Sequence, residues 1–190
     1  MADFWSNAAL EPKRAYRWQL SWGNKASWIV KKVSQPSFEI SEHEHKYLNH
    51  SFWYPGRVQW KEVTFDLVDP MTPDATDIMR RLLTSSGYVL PETSAVTNTI
   101  SKAGATTHLG KLELKLLGPM PGARSVSGIF ETPADAGVVV GTWKLNNPWV
   151  RSVDFSELDY ESDELVGLTV TVRYDWATYT SSPGGGAKIS

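Results

Sequence analysis

Residues Leu165–Trp176 read LVGLTVTVRYDW, and this segment decides the fold class. Large apolar side chains fill every second position from Val166 onwards, and small, polar or charged residues fill the positions between them. Successive side chains of a β-strand point to opposite faces of its sheet, so a period of two indicates a strand with one buried face. The C-terminal part of the chain is therefore predicted to be a long β-strand.

Further strands are predicted from the same alternation earlier in the chain. Tyr16–Trp22 and residues 28–33 flank a Gly23-Asn24 turn signal, which predicts a hairpin. Residues 58–68 are predicted to form one strong strand, and a change of phase at Lys61-Glu62 predicts a β-bulge inside it. The remaining strands are predicted at residues 111–116, 138–145 and 150–155.

One amphipathic helix is predicted over residues 73–86. Thr72 is the predicted cap, and Pro73 suits the first helical position. Acidic residues in the first turn interact favourably with the helix dipole, and apolar residues follow at helical spacing. Gly87 is suited to end the helix. Residues 91–107 are rich in Ser, Thr, Ala and Gly and predict a long loop.

These elements predict a mainly β fold: a two-sheet β-sandwich or barrel with one packed α-helix and extended interface loops. A single β domain is predicted over residues 13–180. Residues 1–12 are predicted to form an N-terminal arm. The Gly/Ser-rich residues 181–190 are predicted to form a flexible tail.

The composition argues against several function classes. The 190 residues carry 19 basic and 21 acidic side chains, a formal net charge of -2, which is too balanced for a protein that grips nucleic acid or an anionic membrane. Cysteine is absent, which excludes disulfides, thiolate catalysis and cysteine zinc sites. The N-terminus predicts no signal peptide, and no apolar run approaches the roughly 20 residues of a membrane helix.

The aromatic content is unusual, with nine Trp in the chain. Trp is favoured in strands and where one protein buries surface against another. The composition therefore fits equally well a Trp-rich β core and a core combined with large subunit interfaces. Residues 37–55 carry a heavy aromatic load with no clean period. They are predicted to form an extended loop or irregular hairpin that carries apolar side chains outwards, the alternative being a lid on the core. The interface candidates in this segment are Tyr47, Phe52, Trp53 and Tyr54.

The sequence offers little catalytic or metal chemistry. Glu42-His43-Glu44-His45, with His50 nearby, is the one metal-like cluster, and on a strand its two histidines would share a face. It lacks the His-Glu-x-x-His helix of zinc enzymes, so an exposed polar segment is the favoured interpretation. No nucleophile elbow or phosphate loop is present, and no pair of carboxylates is singled out. No catalytic residue, metal site or cofactor is therefore predicted.

Three blocks of sequence follow one another in a recognisable order. They are the Arg17–Val33 hairpin leading to Ser37–Ile40, the Val58–Phe65 strand followed by a helix through Leu83, and Lys144–Val150 followed by an acidic Leu158–Tyr160 region and the Leu168–Trp176 strand. In this order they resemble the tail tube proteins of contractile-tailed bacteriophages, the inner tube family of contractile injection systems. The resemblance covers most of residues 14–179. A longer middle, residues 88–136, and the glycine-rich tail depart from the family pattern.

The resemblance implies a structural subunit and not an enzyme. In this family, hexameric rings join their long strands into an inner β-barrel and stack into a tube, which sheath contraction drives through the host envelope. The implied partners are further copies of the chain, the tail sheath, baseplate, tail terminator and tape measure proteins, and DNA that passes through the lumen without specific binding. The implied location is the virion tail, made in the host cytoplasm, with no membrane anchor. A baseplate-proximal tube initiator, or an inner-tube protein of a related contractile injection system, fits the same pattern.

Two sets of residues acquire expected roles from this resemblance. Trp60 and Trp176, on the two long strands, join the interface candidates. An acidic cluster around a predicted hairpin tip could line the lumen and repel phosphates, or form a solvated loop that lacks the spacing of a calcium loop. It consists of Asp154, Glu157, Asp159, Glu161, Asp163 and Glu164. The rival interpretation from another class is a Trp-rich carbohydrate-binding β-sandwich, which would be a stable monomer.

Overall fold

The computed structural model describes residues 12–23, 27–89, 99–118, 139–161 and 163–181. This part of the chain forms a mainly β fold with ten strands and two helices, which confirms the predicted fold class. Nearly all of the predicted N-terminal arm and Gly/Ser tail lies outside these residues, and the division into domains stays a prediction. The strands are β1 (Trp18–Trp22), β2 (Val30–Val33), β3 (Phe38–Tyr47), β4 (His50–Trp60), β5 (Val63–Val68), β6 (Leu112–Leu117), β7 (Val139–Asn146), β8 (Trp149–Phe155), β9 (Gly167–Arg173) and β10 (Trp176–Ser181).

Two four-stranded sheets and one separate hairpin make up the described strands. The first sheet has the order β1-β6-β7-β10, and the second has the order β2-β5-β9-β8. All neighbouring strands in both sheets are antiparallel. The third sheet is the hairpin of β3 and β4 alone.

The core lies between the two four-stranded sheets. In β5, Val63, Phe65 and Leu67 are each at most 2% exposed, while the residues between them are exposed or half-buried. β9 contributes a matching buried set on alternate positions, and the first sheet supplies leucines and Trp22 from the other side. Trp22 and Phe65 meet edge to face with ring centroids 5.7 Å apart, which links the two sheets directly.

The predicted hairpin of Tyr16–Trp22 and residues 28–33 is wrong. β1 pairs with β6 in the first sheet, whereas β2 pairs with β5 in the second. Both segments bury side chains in the core, but from opposite layers, because each pairs with a strand of a different sheet. The chain therefore passes from one layer of the sandwich to the other between β1 and β2.

Two predicted long strands are each divided between sheets. At Lys61-Glu62 the chain leaves the β3–β4 hairpin and enters the second sheet, so the change of phase marks a strand boundary and not a β-bulge. The predicted C-terminal strand breaks after Arg173, and Trp176 pairs with Asn146 in the first sheet. Trp176 is consequently 47% exposed and does not continue the buried face of β9.

The first helix, α1, spans Ala75–Ser85, slightly inside the predicted range. Its cap is Asp74 and not Thr72, because the Asp74 carboxylate accepts a hydrogen bond from the Asp77 backbone N–H at 2.8 Å. Asp69 accepts a second first-turn hydrogen bond from the Ala75 N–H, also at 2.8 Å. Ala75 and Met79 turn into the core, as the apolar stripe predicts.

A second helix, α2, spans Lys102–Leu109 and begins within residues 91–107, predicted as a loop, so that part of the prediction is wrong. Ser101 caps it by accepting from the Gly104 N–H, and Leu109 is buried in the core. Lys102 pairs with Asp175 at 2.7 Å, and this cation together with Asn147 holds the pKa of Asp175 below its ordinary value. Neither helix in the described residues has the length and apolarity to cross a membrane.

Candidate assembly surface

The β3–β4 hairpin, called here the exposed hairpin, presents both of its faces to solvent. Along its 10-residue and 11-residue strands only Ser41 and Trp60 are even half-buried. A two-stranded sheet is at best marginally stable alone in water, so an unsupported hairpin of this length gains from being covered. Its exposed large apolar side chains are Phe38, Ile40, Tyr47, Leu48, Phe52, Trp53, Tyr54 and Val58.

The outer half of the exposed hairpin divides its residues between two chemically different faces. Residues directly opposite each other in an antiparallel pair share a face, and the next pair lies on the other side. Alternate cross-strand pairs from Glu42↔Pro55 to Tyr47↔His50 therefore separate into two sets. The aromatic–histidine face carries His43, His45, Tyr47, His50, Phe52 and Tyr54, and the Trp53 face carries Glu42, Glu44, Lys46, Ser51, Trp53 and Pro55.

A bulge in the middle of the exposed hairpin shifts its register. The pairing jumps from Ile40↔Val58 to Glu42↔Pro55, so β4 contains one more residue than β3 over this step. Gly56 lies here, and a Cβ on it would lie 2.3 Å from the Ser41 hydroxyl oxygen. That hydroxyl accepts a hydrogen bond from the Arg57 N–H at 2.8 Å. The site therefore requires glycine because of a close side-chain and backbone approach.

An aromatic series anchors the base of the exposed hairpin to the sandwich. Trp60 packs against Phe38 edge to face at 5.4 Å and against Tyr174 at 6.0 Å between ring centroids. The Lys61 N–H donates to the Ser37 carbonyl at 2.8 Å and closes the base. Burial raises the pKa of Tyr174. Its hydroxyl lies near the Ser37 backbone, but it forms no hydrogen bond with any residue that the structure describes. The anchor is therefore apolar in character.

An ion triad lies directly after the exposed hairpin. Glu62 accepts hydrogen bonds from Arg151 and from Arg173, the latter at 3.0 Å. These bonds and the two positive charges lower the pKa of Glu62. The triad links the start of β5 to β8 and β9, so it ties the hairpin base across three strands.

We expect Glu62→Gln to lower stability at neutral pH because it leaves the two arginines without a counter-ion. A depressed folded-state pKa contributes stability that is fully present above the unfolded value of about 4.5 and is lost as the pH falls through the folded-state pKa. The stability difference between wild type and variant should therefore be present at pH 7 and shrink in acid, measured by urea unfolding. Glu157→Gln, an exposed glutamate, is the control. An equal difference at both pH values would contradict the ion-triad account.

Comparison with known proteins shows the fold. No protein-family model matches the sequence, and no curated protein matches it. A chain in the structure of the anti-feeding prophage cap, the tube terminating cap, is similar with a TM-score of 0.63 and 16% identity, over 96% of this chain and 100% of its own. A chain in the PVC extracellular contractile injection system, from its sheath/tube terminator in the extended state, has a TM-score of 0.59 and 17% identity, over 90% and 98%. A chain in the PVC sheath-tube complex has a TM-score of 0.57 and 18% identity, over 92% and 95%.

This chain has the fold of contractile injection system tube and terminator proteins. The resemblance drawn from the sequence is thereby confirmed at the level of fold. Identities of 16–18% lie too low to carry residue roles across, so the roles of individual side chains rest on the geometry of this chain.

Within this tube-protein fold, the predicted interface residues lie in three places. Tyr47, Phe52 and Tyr54 share the aromatic–histidine face, and Trp53 lies on the opposite face. Trp60 is half-buried in the anchor at the hairpin base, while Trp176 is exposed on β10, an edge strand of the first sheet. Phe38, Ile40 and Val58 are also 48–55% exposed on the same hairpin, and Phe38 and Ile40 are not among the predicted candidates. A repeated period of two on either side of Gly56 is the signal that could have found them.

The acidic residues do not converge on one site. Asp154 lies on β8, and the others lie on the exposed residues 156–161 and 163–166 between β8 and β9, called here the acidic excursion. Two hydrogen bonds close its base: the Ser156 N–H donates to the Gly167 carbonyl at 3.0 Å, and the Gly167 N–H donates to the Ser156 hydroxyl at 3.1 Å.

The metal-like cluster at residues 42–45 is also divided between two faces. Its histidines share one face, whereas Glu44 lies on the other with Ser51 and Lys46. In the described ranges no three His, Asp or Glu side chains gather as a metal site would require.

Proposed function

We propose that this chain is the structural subunit of the inner tube of a contractile tail or injection system. Its copies form hexameric rings that stack into a tube, which serves as a conduit and is driven through the host envelope by contraction of a surrounding sheath. The partners are other copies, sheath, baseplate and terminator proteins, with a tape measure protein and DNA in the lumen. The subunit acts by assembling and performs no catalysis.

The exposed hairpin is the observation that carries this proposal. It extends over roughly 33 Å at about 3.3 Å per residue and exposes aromatic side chains on both faces. Apolar patches of this extent on a soluble chain mark protein interaction sites. Because two faces are available, the hairpin can contact two neighbouring subunits at once, as stacked rings require.

The sheet edges support a ring. In an antiparallel sheet of four strands, the two edge strands run in opposite directions, so a second copy added by rotation continues the antiparallel order. Such head-to-tail contacts close into rings, and closing a barrel removes exposed edges. With a formal net charge of -2, the subunit would also allow DNA to pass without holding it.

A terminal piece of the tube is the alternative that the comparisons favour. Among the similar structures are a tube terminating cap and a baseplate, the latter with a TM-score of 0.53. A tube subunit polymerises into tubes of constant diameter, whereas a terminator or a baseplate-proximal initiator stops at one ring or a short stack.

Negative-stain electron microscopy of the purified, concentrated protein tests the proposal. We expect hollow tubes or six-fold rings, with long tubes for a main tube subunit and single rings for a terminal piece. If only compact monomers form, addition of a baseplate template is the second measurement. Monomers that persist on a template and bind sugars saturably would favour the carbohydrate-binding interpretation instead.

A further inference from the structure

The two edges of the second sheet carry opposite unpaired charge, since the one cation of β8, Arg151, is paired with Glu62. β2 presents Lys31 and Lys32, both exposed, and neither has an ion-pair partner among the residues that the structure describes. β8, at the other edge, carries the exposed Asp154 and leads into the acidic excursion. Four further carboxylates of the excursion are exposed: Glu157, Asp159, Glu161 and Asp163.

The opposite charges lie at the same level of the sheet. One row of cross-strand partners runs from Lys32 through Asp66 and Thr169 to Asp154. The row beside it runs from Val30 to Phe155, after which the acidic excursion begins. A ring that continues the sheet would therefore bring the acidic end of β8 towards the basic end of β2 in the next copy.

A cleft beside the β2 edge offers apolar surface as well as charge. It has a volume of about 750 Å³ and is lined by residues that include Tyr16, Trp18, Trp28, Lys31 and Lys32. Tyr16 and Trp28 are 71% and 64% exposed. All the charged side chains lining the cleft are lysines.

The acidic excursion has the complementary composition. Its carboxylates flank Leu158, which is 77% exposed, and Tyr160, which is fully exposed. An acidic segment with exposed apolar side chains suits a cleft that is lined by aromatic side chains and lysines.

Building on the proposed function, we propose that the β2 edge and its cleft bind the β8 edge and acidic excursion of the neighbouring copy in the ring. Asp154 of one copy then faces Lys32 of the next, and Leu158 and Tyr160 contact the Trp28 side of the cleft. The acidic residues thus lie at the junction between subunits and do not line the lumen. Charge at both edges sets the register of the junction, because a shifted register separates the opposite charges.

Charge reversal at each edge tests the inference in the full-length chain. We expect Lys31→Glu with Lys32→Glu to raise the protein concentration needed for rings by roughly tenfold or more, because like charges then face each other. Asp154→Lys with Glu157→Lys should have a similar effect. In an equimolar mixture of the two variants, both junctions between unlike copies pair opposite charges, so rings in which the two variants alternate should form; the quadruple variant should form complete rings by itself. Sedimentation velocity at low and at high salt is the measurement, with circular dichroism as the check on folding.

Lys111→Glu with Lys115→Glu, an equal charge change on and beside β6 in the first sheet, is the matched control and should assemble like wild type. Rings that tolerate reversal at β2, or variants that the swap fails to rescue, would overturn the inference while leaving the proposed function intact. A wild-type protein that forms no ring at any concentration or on a template would overturn both.

Discussion

The double variant Phe52→Ser, Trp53→Ser is expected to remain folded and to lose tube formation. Neither side chain belongs to the core of the sandwich, and they point to opposite faces of the exposed hairpin. Burying one large apolar side chain against a partner contributes about 1.5–3 kcal/mol, so the loss of one from each face would weaken each of the two subunit contacts by about ten- to a hundredfold in affinity. Electron microscopy and sedimentation velocity measure assembly, and circular dichroism checks the fold.

A matched control separates this effect from a general change in surface hydrophobicity. Met71→Ser with Leu83→Ser also removes two exposed apolar side chains, 99% and 44% exposed, but at sites away from the hairpin. This control should form tubes like wild type. Tubes from the hairpin variant at wild-type concentrations would show that the hairpin is not an assembly surface.

Phe65→Ala is expected to cost about 3–5 kcal/mol of unfolding free energy, the usual range for truncating a buried phenylalanine. Phe65 is 1% exposed and holds the two sheets together through its contact with Trp22. A loss of this size approaches the whole stability of an ordinary domain. Urea unfolding of the monomer measures it, with the Phe52→Ser, Trp53→Ser background used to suppress assembly.

Phe155→Ala provides the comparison for the core variant. The same side chain is removed there, but from a position that is 59% exposed, so a change of about 0.5 kcal/mol or less is expected in the monomer. If the two variants lose equal stability, Phe65 does not occupy the central position between the sheets that the structure assigns to it.

Alternation predicts the strands well wherever one face is buried in this chain. The strand β5 is predicted by its alternation, because every second side chain, namely Val63, Phe65 and Leu67, is buried in the core. The pattern carries no information on which strand is the partner. It therefore predicts a hairpin of Tyr16–Trp22 with residues 28–33, although the two segments lie in different sheets. Helix α2 has no apolar stripe to reveal it, and Leu109 is its one buried residue.

The exposed hairpin is predicted as an interaction surface by its aromatic content and not by a regular alternation of apolar and polar residues. Aromatic residues in the 37–55 segment predicted an exposed interaction surface, but the extra residue at Gly56 breaks the alternation that would have indicated two long strands. Trp60 is an interface candidate because it lies on a predicted long strand, whereas its partial burial against Tyr174 depends on tertiary contacts that one sequence does not reveal. The level of Asp154 relative to Lys32 follows from sheet register, which one sequence does not specify.

Both edge strands of the second sheet contain an irregularity. The register shifts between Val30 and Lys32 in β2, and between Val150 and Ser152 in β8. A β-bulge interrupts the row of backbone groups that would otherwise template indiscriminate, amyloid-like strand addition. The two bulges therefore restrict which strands can pair with these edges. A neighbouring copy that continues the sheet, as the proposed ring requires, has to match the shape of each bulge.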